Sequence, residues 1–254
     1  MPDAVLNVSA YRFVALDRLD ERRQRLFDTA LAAGLKGTVL LAEEGINLFL
    51  AGPAAALRGW LAALREDAPF AGLDAKESWS AAQPFQRLKV KVKREIIRMN
   101  MPAVRPAAGR APAVAPATLA RWLDAGRDDD GRPVVMLDTR NGFEVDAGAF
   151  EGAIDWRLQR FSDFPAALAA HRDALAGKTV VSYCTGGIRC EKAALVMQAL
   201  GIEHGYQLEG GVLRYFEQTD GAPHWRGRCF VFDEREALAA DLQPAAETSR
   251  EVAA

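Results

Sequence analysis

The chain is poor in cysteine, histidine and long apolar runs, and each shortage excludes something. Three cysteines in 254 residues is an odd number, too few to staple a disulfide scaffold. They fit a reducing, cytoplasmic setting in which thiols stay free for chemistry. His171, His204 and His224 show no His-x3-His spacing, and the cysteines show no Cys-x2-Cys. No metal site is therefore expected, and no haem, flavin or iron-ligand motif is visible. No apolar run reaches about 18 residues, so no membrane span is expected. The opening MPDAVLNVSAYRF lacks a basic stretch followed by an apolar core and does not read as a signal peptide. An excess of one charge is also missing. The net charge is −2, which over the whole chain suggests no polyanion partner. What is present is an ordinary globular composition, 50% hydrophobic and 26% charged, with length for two domains.

No internal repeat appears. The first part reads strand (VLNVSAYRFVAL), helix (DERRQRLFDTALAAG), two apolar strands (GTVLLA, INLFLA), helix (PAAALRGWLAALRED), and strands DAKESWS and RLKVKVKREIIRM. Asp20 is the candidate N-cap of the first helix and Gly34 its stop. Glu43-Glu44-Gly45 joins the apolar strands as a hairpin. This order predicts a ferredoxin-like split βαβ sandwich over residues 1–99. A linker follows at 100–116, whose Pro/Ala-rich stretch 102–116 is expected to form no regular element.

From 117 to 221 strands and helices alternate, which implies a mainly parallel sheet with helices on both faces. The strands are PVVMLDTR, a short AIDW, KTVVSYC and YQLEGG; the helices are ATLARWLDAG, FPAALAAHRDALAG, EKAALVMQALG and VLRYFEQ. Residues 222–254 form a C-terminal extension with a possible edge strand from Cys229 to Phe232. The last dozen residues are expected to be disordered.

The chemistry concentrates in Cys184-Thr185-Gly186-Gly187-Ile188-Arg189-Cys190, between a β-branched strand and a helix. That junction is where α/β folds hold ligands and anions. A thiol attacks only as thiolate. Converging backbone N–H groups, the positive end of the helix beginning near Cys190, and the permanent charge of Arg189 all favour that anion. Gly186 and Gly187 let the backbone curl. The same loop suits a persulfide or a bound oxyanion. Four residues separate Cys184 from Arg189. Cysteine phosphatases place five there, and the tighter ring suits a bare sulfur. Cys-x-x-Gly-x-Arg after a parallel strand is the rhodanese pattern, and this segment resembles one. LDTRNGFEVDAGAFEGA resembles the early rhodanese element, with Asp138 and Arg140 ending a strand and Glu144 following. Gly148-Ala149-Phe150 stands where Gly-His-Ile is usual. A structural cysteine at a strand end is the bland alternative.

Cys190 resolves a persulfide, forms a disulfide with Cys184, or simply packs as a small helix residue. Cys229, in the apolar run CFVF, reads as a buried thiol.

From Phe85 to Arg110 eight Lys/Arg face one acid, Glu95. In Leu88-Lys89-Val90-Lys91-Val92-Lys93 the lysines fall on one strand face and the apolar residues on the other. With Arg87 and Arg94 they make a candidate RNA-binding row. The alternative is that lysines merely keep an edge strand soluble. Glu43-Glu44-Gly45-Ile46-Asn47 is either a plain hairpin turn or a polar group able to contact a base edge.

LLAEEGIN, FQRLKVKVKREII, LDTRNGFEV, CTGGIRCEKA, LEGG and WRGRCFVFDER follow in one order. Together they resemble the bacterial oxygen-dependent tRNA uridine hydroxylase family, rhodanese-domain proteins, over residues 5–236. The doubled-cysteine loop flanked by EKA is more specific than the generic rhodanese pattern. The resemblance implies a ferredoxin-like domain followed by a rhodanese-like α/β domain. It implies hydroxylation of the wobble uridine of tRNA to 5-hydroxyuridine, with molecular oxygen as co-substrate. Cys184 then matches the family's rhodanese-type, persulfide-bearing cysteine, with Arg189 and Cys190 completing the catalytic loop. Thr185, Gly186, Gly187 and Ile188 supply loop backbone. The basic strand becomes a contact for the tRNA anticodon loop; neither DNA nor membrane is implied. Larger members carry further cysteines beyond the position of Cys229.

Three functions are weighed. The first is an RNA-modifying monooxygenase acting on a splayed-out wobble base. The second is a sulfurtransferase whose Cys184 persulfide passes sulfur to tRNA or a small acceptor. A plain sulfurtransferase needs neither the fused basic domain nor the second loop cysteine. The third is a non-catalytic tRNA-binding adaptor using the loop as an anion site.

Overall fold

The computed structural model describes residues 4–244. The disorder expected for the last dozen residues falls almost wholly outside them.

The first domain is one five-stranded sheet backed by two helices. Its elements are β1 (Val5–Phe13), α1 (Leu19–Ala32), β2 (Lys36–Ala42), β3 (Gly45–Gly52), α2 (Ala54–Glu66), β4 (Asp74–Ser80) and β5 (Leu88–Val92). The strand order is β4-β1-β3-β2-β5; all neighbours are antiparallel except β2 and β5. Side chains alternate across a strand. Leu6, Val8 and Ala10 of β1, with Leu48 and Leu50 of β3, therefore face Leu26, Leu57, Trp60 and Leu61 of the helices in a dry core. The opposite face carries Asn7, Ser9, Tyr11, Asn47 and Lys76, and no helix of this domain covers it.

Three local expectations are corrected. α1 starts at Leu19, with Arg18 at φ 45° as N-cap, so Asp20 lies in the first turn. There it complements the helix dipole without capping. The strand expected over residues 87–99 is regular only across β5. Beyond it the chain leaves the sheet, and Ile96 packs with Ala42 and Ile188 between the domains. The Pro/Ala-rich stretch is not free of structure either. β6 (Ala113–Val114) pairs in parallel with the strand Gly205–Leu208 and forms an edge of the second sheet. Two residues of an edge strand tolerate flanking prolines because the outer N–H needs no partner.

The second domain continues with α3 (Pro116–Ala125), β7 (Val134–Asp138), α4 (Gly142–Ala147), β8 (Gly148–Phe150), α5 (Phe164–His171), β9 (Thr179–Tyr183), α6 (Ile188–Ala199), β10 (Gly205–Leu208) and α7 (Gly211–Gln218). Its sheet runs β6-β10-β9-β7, all parallel. AIDW contributes only a single bridge from Ile154 to Leu137. β11 (Trp225–Gly227) pairs with β8, and β12 (Cys229–Phe230) pairs with β13 (Ala237–Leu238). The departure at Gly148-Ala149-Phe150 thereby builds a core. Phe150 meets Tyr183, Tyr215 and Trp225 edge-on with centroids 4.9–5.2 Å away.

Candidate active site

β9 is buried along its length, and the chain leaves it at Cys184 and turns into α6 at Ile188. Gly187 caps the helix at φ 96°, a conformation costly for any other residue. A side chain there would also meet the Tyr11 hydroxyl at 2.9 Å. The loop is held from below by α7. The backbone N–H groups of Val212 and Leu213 donate to the carbonyls of Cys184 and Thr185 at 3.0 Å. Gly211 permits this approach, since a Cβ on it would lie 2.4 Å from the Cys184 carbonyl oxygen. The LEGG segment thus seats the cysteine loop.

The Gly187 N–H donates to the Cys184 sulfur at 3.2 Å. Arg189 is buried and donates twice to Glu144, at 2.6 and 2.7 Å. Glu144 in turn accepts from the Asn141 N–H at 3.0 Å in a capping box. Behind them Asp138 and Arg140 form a fully buried bidentate pair. The DTRNGFE segment therefore fixes the cation that serves the thiol.

Burial alone would push the Cys184 thiol up. The Cys190 S–H, the Arg189 charge and the backbone N–H groups of Arg189 and Gly187 outweigh it and hold Cys184 well below the usual thiol range. Burial and the neighbouring Cys184 push Cys190 up. The two thiols are free and buried, and their environments shift them in opposite directions. Thr139 lies 3.8 Å from the Cys190 sulfur. Cys229 is also buried, and its burial pushes it up to about 12; the reading of an inert thiol fits it.

The sheet face of the first domain roofs this loop. A cavity of about 380 Å³ lies between them, with Cys184, Thr185 and Gly186 on one side and Ser9, Asn47, Phe49 and Lys76 on the other. That volume falls within the roughly 300–1,000 Å³ of small-molecule pockets. Ile188 and Arg189 line it too. Phe143 and Phe232 are exposed large apolar side chains, packed edge-to-face on one another and on Phe230; Phe232 lines the cavity.

The basic strand lies at the sheet edge, outside this pocket. Arg87, Lys91, Lys93 and Arg94 are exposed and Lys89 is half-buried. Register nonetheless connects it to the site. Lys76, Ser9, Phe49, Thr38 and Lys89 are successive partners across all five strands and share the cavity face. Tyr11, Asn47, Leu40 and Lys91 form the next row. The cations thus stand at the outer end of rows whose inner end roofs Cys184.

Residues not anticipated from sequence tie the domains together. Lys192 is 1% exposed; its Nζ donates to Glu44 at 3.0 Å, to Glu95 at 2.7 Å and to the Ile97 carbonyl at 3.0 Å. Glu191 accepts from Arg110, Gln207 and the Tyr11 hydroxyl. Glu44 therefore has protein partners, and it also accepts from the Ile96 N–H at 2.8 Å.

Comparison with known proteins matches each of the two domains. Residues 5–96 match the model of the UPF0176 acylphosphatase-like domain, and residues 117–218 match the rhodanese-like domain. Two curated relatives named tRNA uridine(34) hydroxylase come from Bordetella petrii and Variovorax paradoxus. They are 64% and 63% identical to this chain, over 95% and 94% of it and 96% and 90% of their own lengths. A third of that name, from Bordetella pertussis, is 63% identical over 96% of this chain and 99% of its own. With both domains matched in order and relatives this similar along nearly their whole length, the chain belongs to the tRNA uridine(34) hydroxylase family.

Proposed function

We propose that this protein is an enzyme that hydroxylates uridine 34 of tRNA, giving 5-hydroxyuridine, with Cys184 as its reactive group and molecular oxygen as co-substrate. The observation that carries the reading is the cavity between the cysteine loop and the polar sheet face. It offers a low-pKa thiol on one wall and hydrogen-bonding groups on the other. A base inside a helix cannot reach such a thiol, whereas an anticodon-loop base can be splayed out. Phe143 and Phe232 offer ring faces to neighbouring bases, and Lys89, Lys91 and the adjacent cations face the phosphate backbone.

In this reading the Cys184 thiolate adds to C6 of the uracil and makes C5 electron-rich. C5 takes one oxygen atom of O2, a two-electron donor reduces the other atom to water, and loss of the C5 proton with departure of the thiolate restores the ring. Glu144 orients Arg189, and Arg189 keeps the sulfur anionic. Sulfur transfer through a Cys184 persulfide is chemistry the same loop permits. The name shared by the relatives supports hydroxylation over it. The setting is the cytoplasm, where tRNA is modified; no helix among the described residues is long and apolar enough to cross a membrane.

Nucleoside mass spectrometry tests the reading. Unmodified tRNA is incubated with the purified protein in air and without oxygen, then digested. A uridine that gains one oxygen only in air supports hydroxylation. Sulfur replacing oxygen, only with a sulfur donor present, would move the assignment to thiolation.

A further inference from the structure

Lys76 is a buried cation in direct contact with no carboxylate, although Asp74 and Glu217 lie near enough to favour its charge. It sits in β4 at 6% exposure and lines the cavity above Cys184. Among the described residues its ammonium makes no hydrogen bond and no ion pair. The nearby carboxylates are already taken. Arg58 holds Glu77 through two hydrogen bonds, and Arg214 holds both Asp74 and Glu217. What Lys76 has instead is the Tyr11 ring, 5.5 Å from its Nζ to the centroid. Its register partner Ser9 reaches to within 3.7 Å of where a Cβ on Gly186 would stand. Lys76 therefore lies on the cavity wall near the cysteine loop, where that wall also borders a polar recess lined by Asp74, Arg110, Glu191 and Arg214.

Leaving an ammonium buried without a partner costs stability. Such costs persist where a ligand supplies the missing partner. Uracil carries carbonyl oxygens and no cation, so it can supply one.

We infer that Lys76 is a catalytic acid for the reaction proposed above, donating to a carbonyl oxygen of the uracil while Cys184 adds to the ring. The step balances without an oxidant. A sulfur lone pair forms the S–C6 bond. The C5=C6 π pair moves into C4–C5, and the C4=O π pair moves onto O4. The Lys76 N–H donates to that oxygen and, on full transfer, leaves a neutral amine and an enol. Burial lowers the ammonium's pKa, as does Arg214, while Asp74, Glu217 and Cys184 raise it; the net shift is downward and eases the proton's departure.

The test uses the full chain carrying Lys76→Gln, Lys76→Met or Lys76→Arg, with single-turnover hydroxylation, tRNA affinity and thermal melting as readouts. The Gln and Met variants are expected to lose about 100-fold or more in rate, with tRNA affinity unchanged and Tm equal to or above wild type. Lys76→Arg, which keeps a donor, is expected to retain more rate than either. A wild-type rate in Lys76→Gln would overturn the assignment. So would a rate loss matched by lost tRNA affinity, or a fall in Tm in both the Gln and Met variants, since each indicates binding or structure alone. Failure of the hydroxylation reading would show separately, as no oxygen gain in the parent protein. In that event tRNA carrying 5-fluorouridine still decides. A Cys184-dependent covalent adduct formed by wild type and lost in Lys76→Gln supports the role, and equal adduct in both rejects it.

Discussion

The ammonium of Lys192 lies 2.7 Å from a carboxylate oxygen of Glu95, across the boundary between the two domains. The residue that follows the second loop cysteine by two positions thus clamps the ferredoxin-like domain over the loop. Glu44 and the Ile97 carbonyl complete the clamp. Because the cavity takes one wall from each domain, this pair sets its shape.

Replacing Lys192 with Met is expected to leave two carboxylates facing each other without their cation. Loss of one partner of a buried pair predicts a destabilisation of about 3 kcal/mol, read from urea unfolding. Hydroxylation should fall with it, because the roof over Cys184 is no longer held in place.

Glu144 gives the fold an acid limit. Burial raises its pKa, but Arg189, the Asn141 N–H and Arg140 together bring it below the ordinary carboxylate range. A group depressed in the folded state stabilises fully above its unfolded value, about 4.3, and loses that contribution as pH falls through the folded one. Stability should therefore drop steeply on acidification below the ordinary Glu range. Glu144→Gln should flatten that part of the curve and lower stability at neutral pH by about 3 kcal/mol or more, since Arg189 stays buried without its counter-charge. Denaturant midpoints measured across pH check both.

The thiol pair predicts an asymmetry in alkylation. Iodoacetamide should modify Cys184 at about pH 6, where an ordinary thiol is nearly all protonated. Cys190 should resist. Cys190→Ala removes the S–H that donates to Cys184, so the apparent pKa of Cys184 should rise and its rate at that pH should fall. Peptide mass mapping of the labelled site separates the two cysteines.

The basic edge predicts a binding defect without a chemical one. Lys89→Glu with Lys91→Glu should weaken tRNA binding and reduce the dependence of log K on log salt by about 0.7 for each phosphate no longer neutralised. Turnover at saturating tRNA should change little, because both residues sit at the outer end of the rows that roof Cys184. Filter binding over a salt series checks this.

The cysteine loop was legible in the sequence because its chemistry is local: thiol, glycines and arginine occupy one turn. Most strands were legible as apolar, β-branched runs, and RLKVKVKREIIRM by its period of two. The roof was harder to see. Asn7, Ser9 and Tyr11 alternate with Leu6, Val8 and Ala10 as any half-buried strand does, and nothing in the string says that the polar face covers another domain. Glu191 and Lys192 read as ordinary first-turn helix residues, since Glu44 and Glu95 lie 148 and 97 positions away from Lys192. The Pro/Ala-rich stretch misled for a related reason. Two residues suffice for an edge strand when β10 offers the pairing, and no local propensity announces so short an element.

The most direct test of the central claim is to run the reaction under heavy-isotope oxygen gas and map the product within the tRNA by mass spectrometry of its digestion fragments. The account predicts a single heavy oxygen atom on the fragment containing uridine 34, present with wild type and absent with Cys184→Ser that folds normally. Label incorporated equally by Cys184→Ser would contradict it, as would oxygen derived from water.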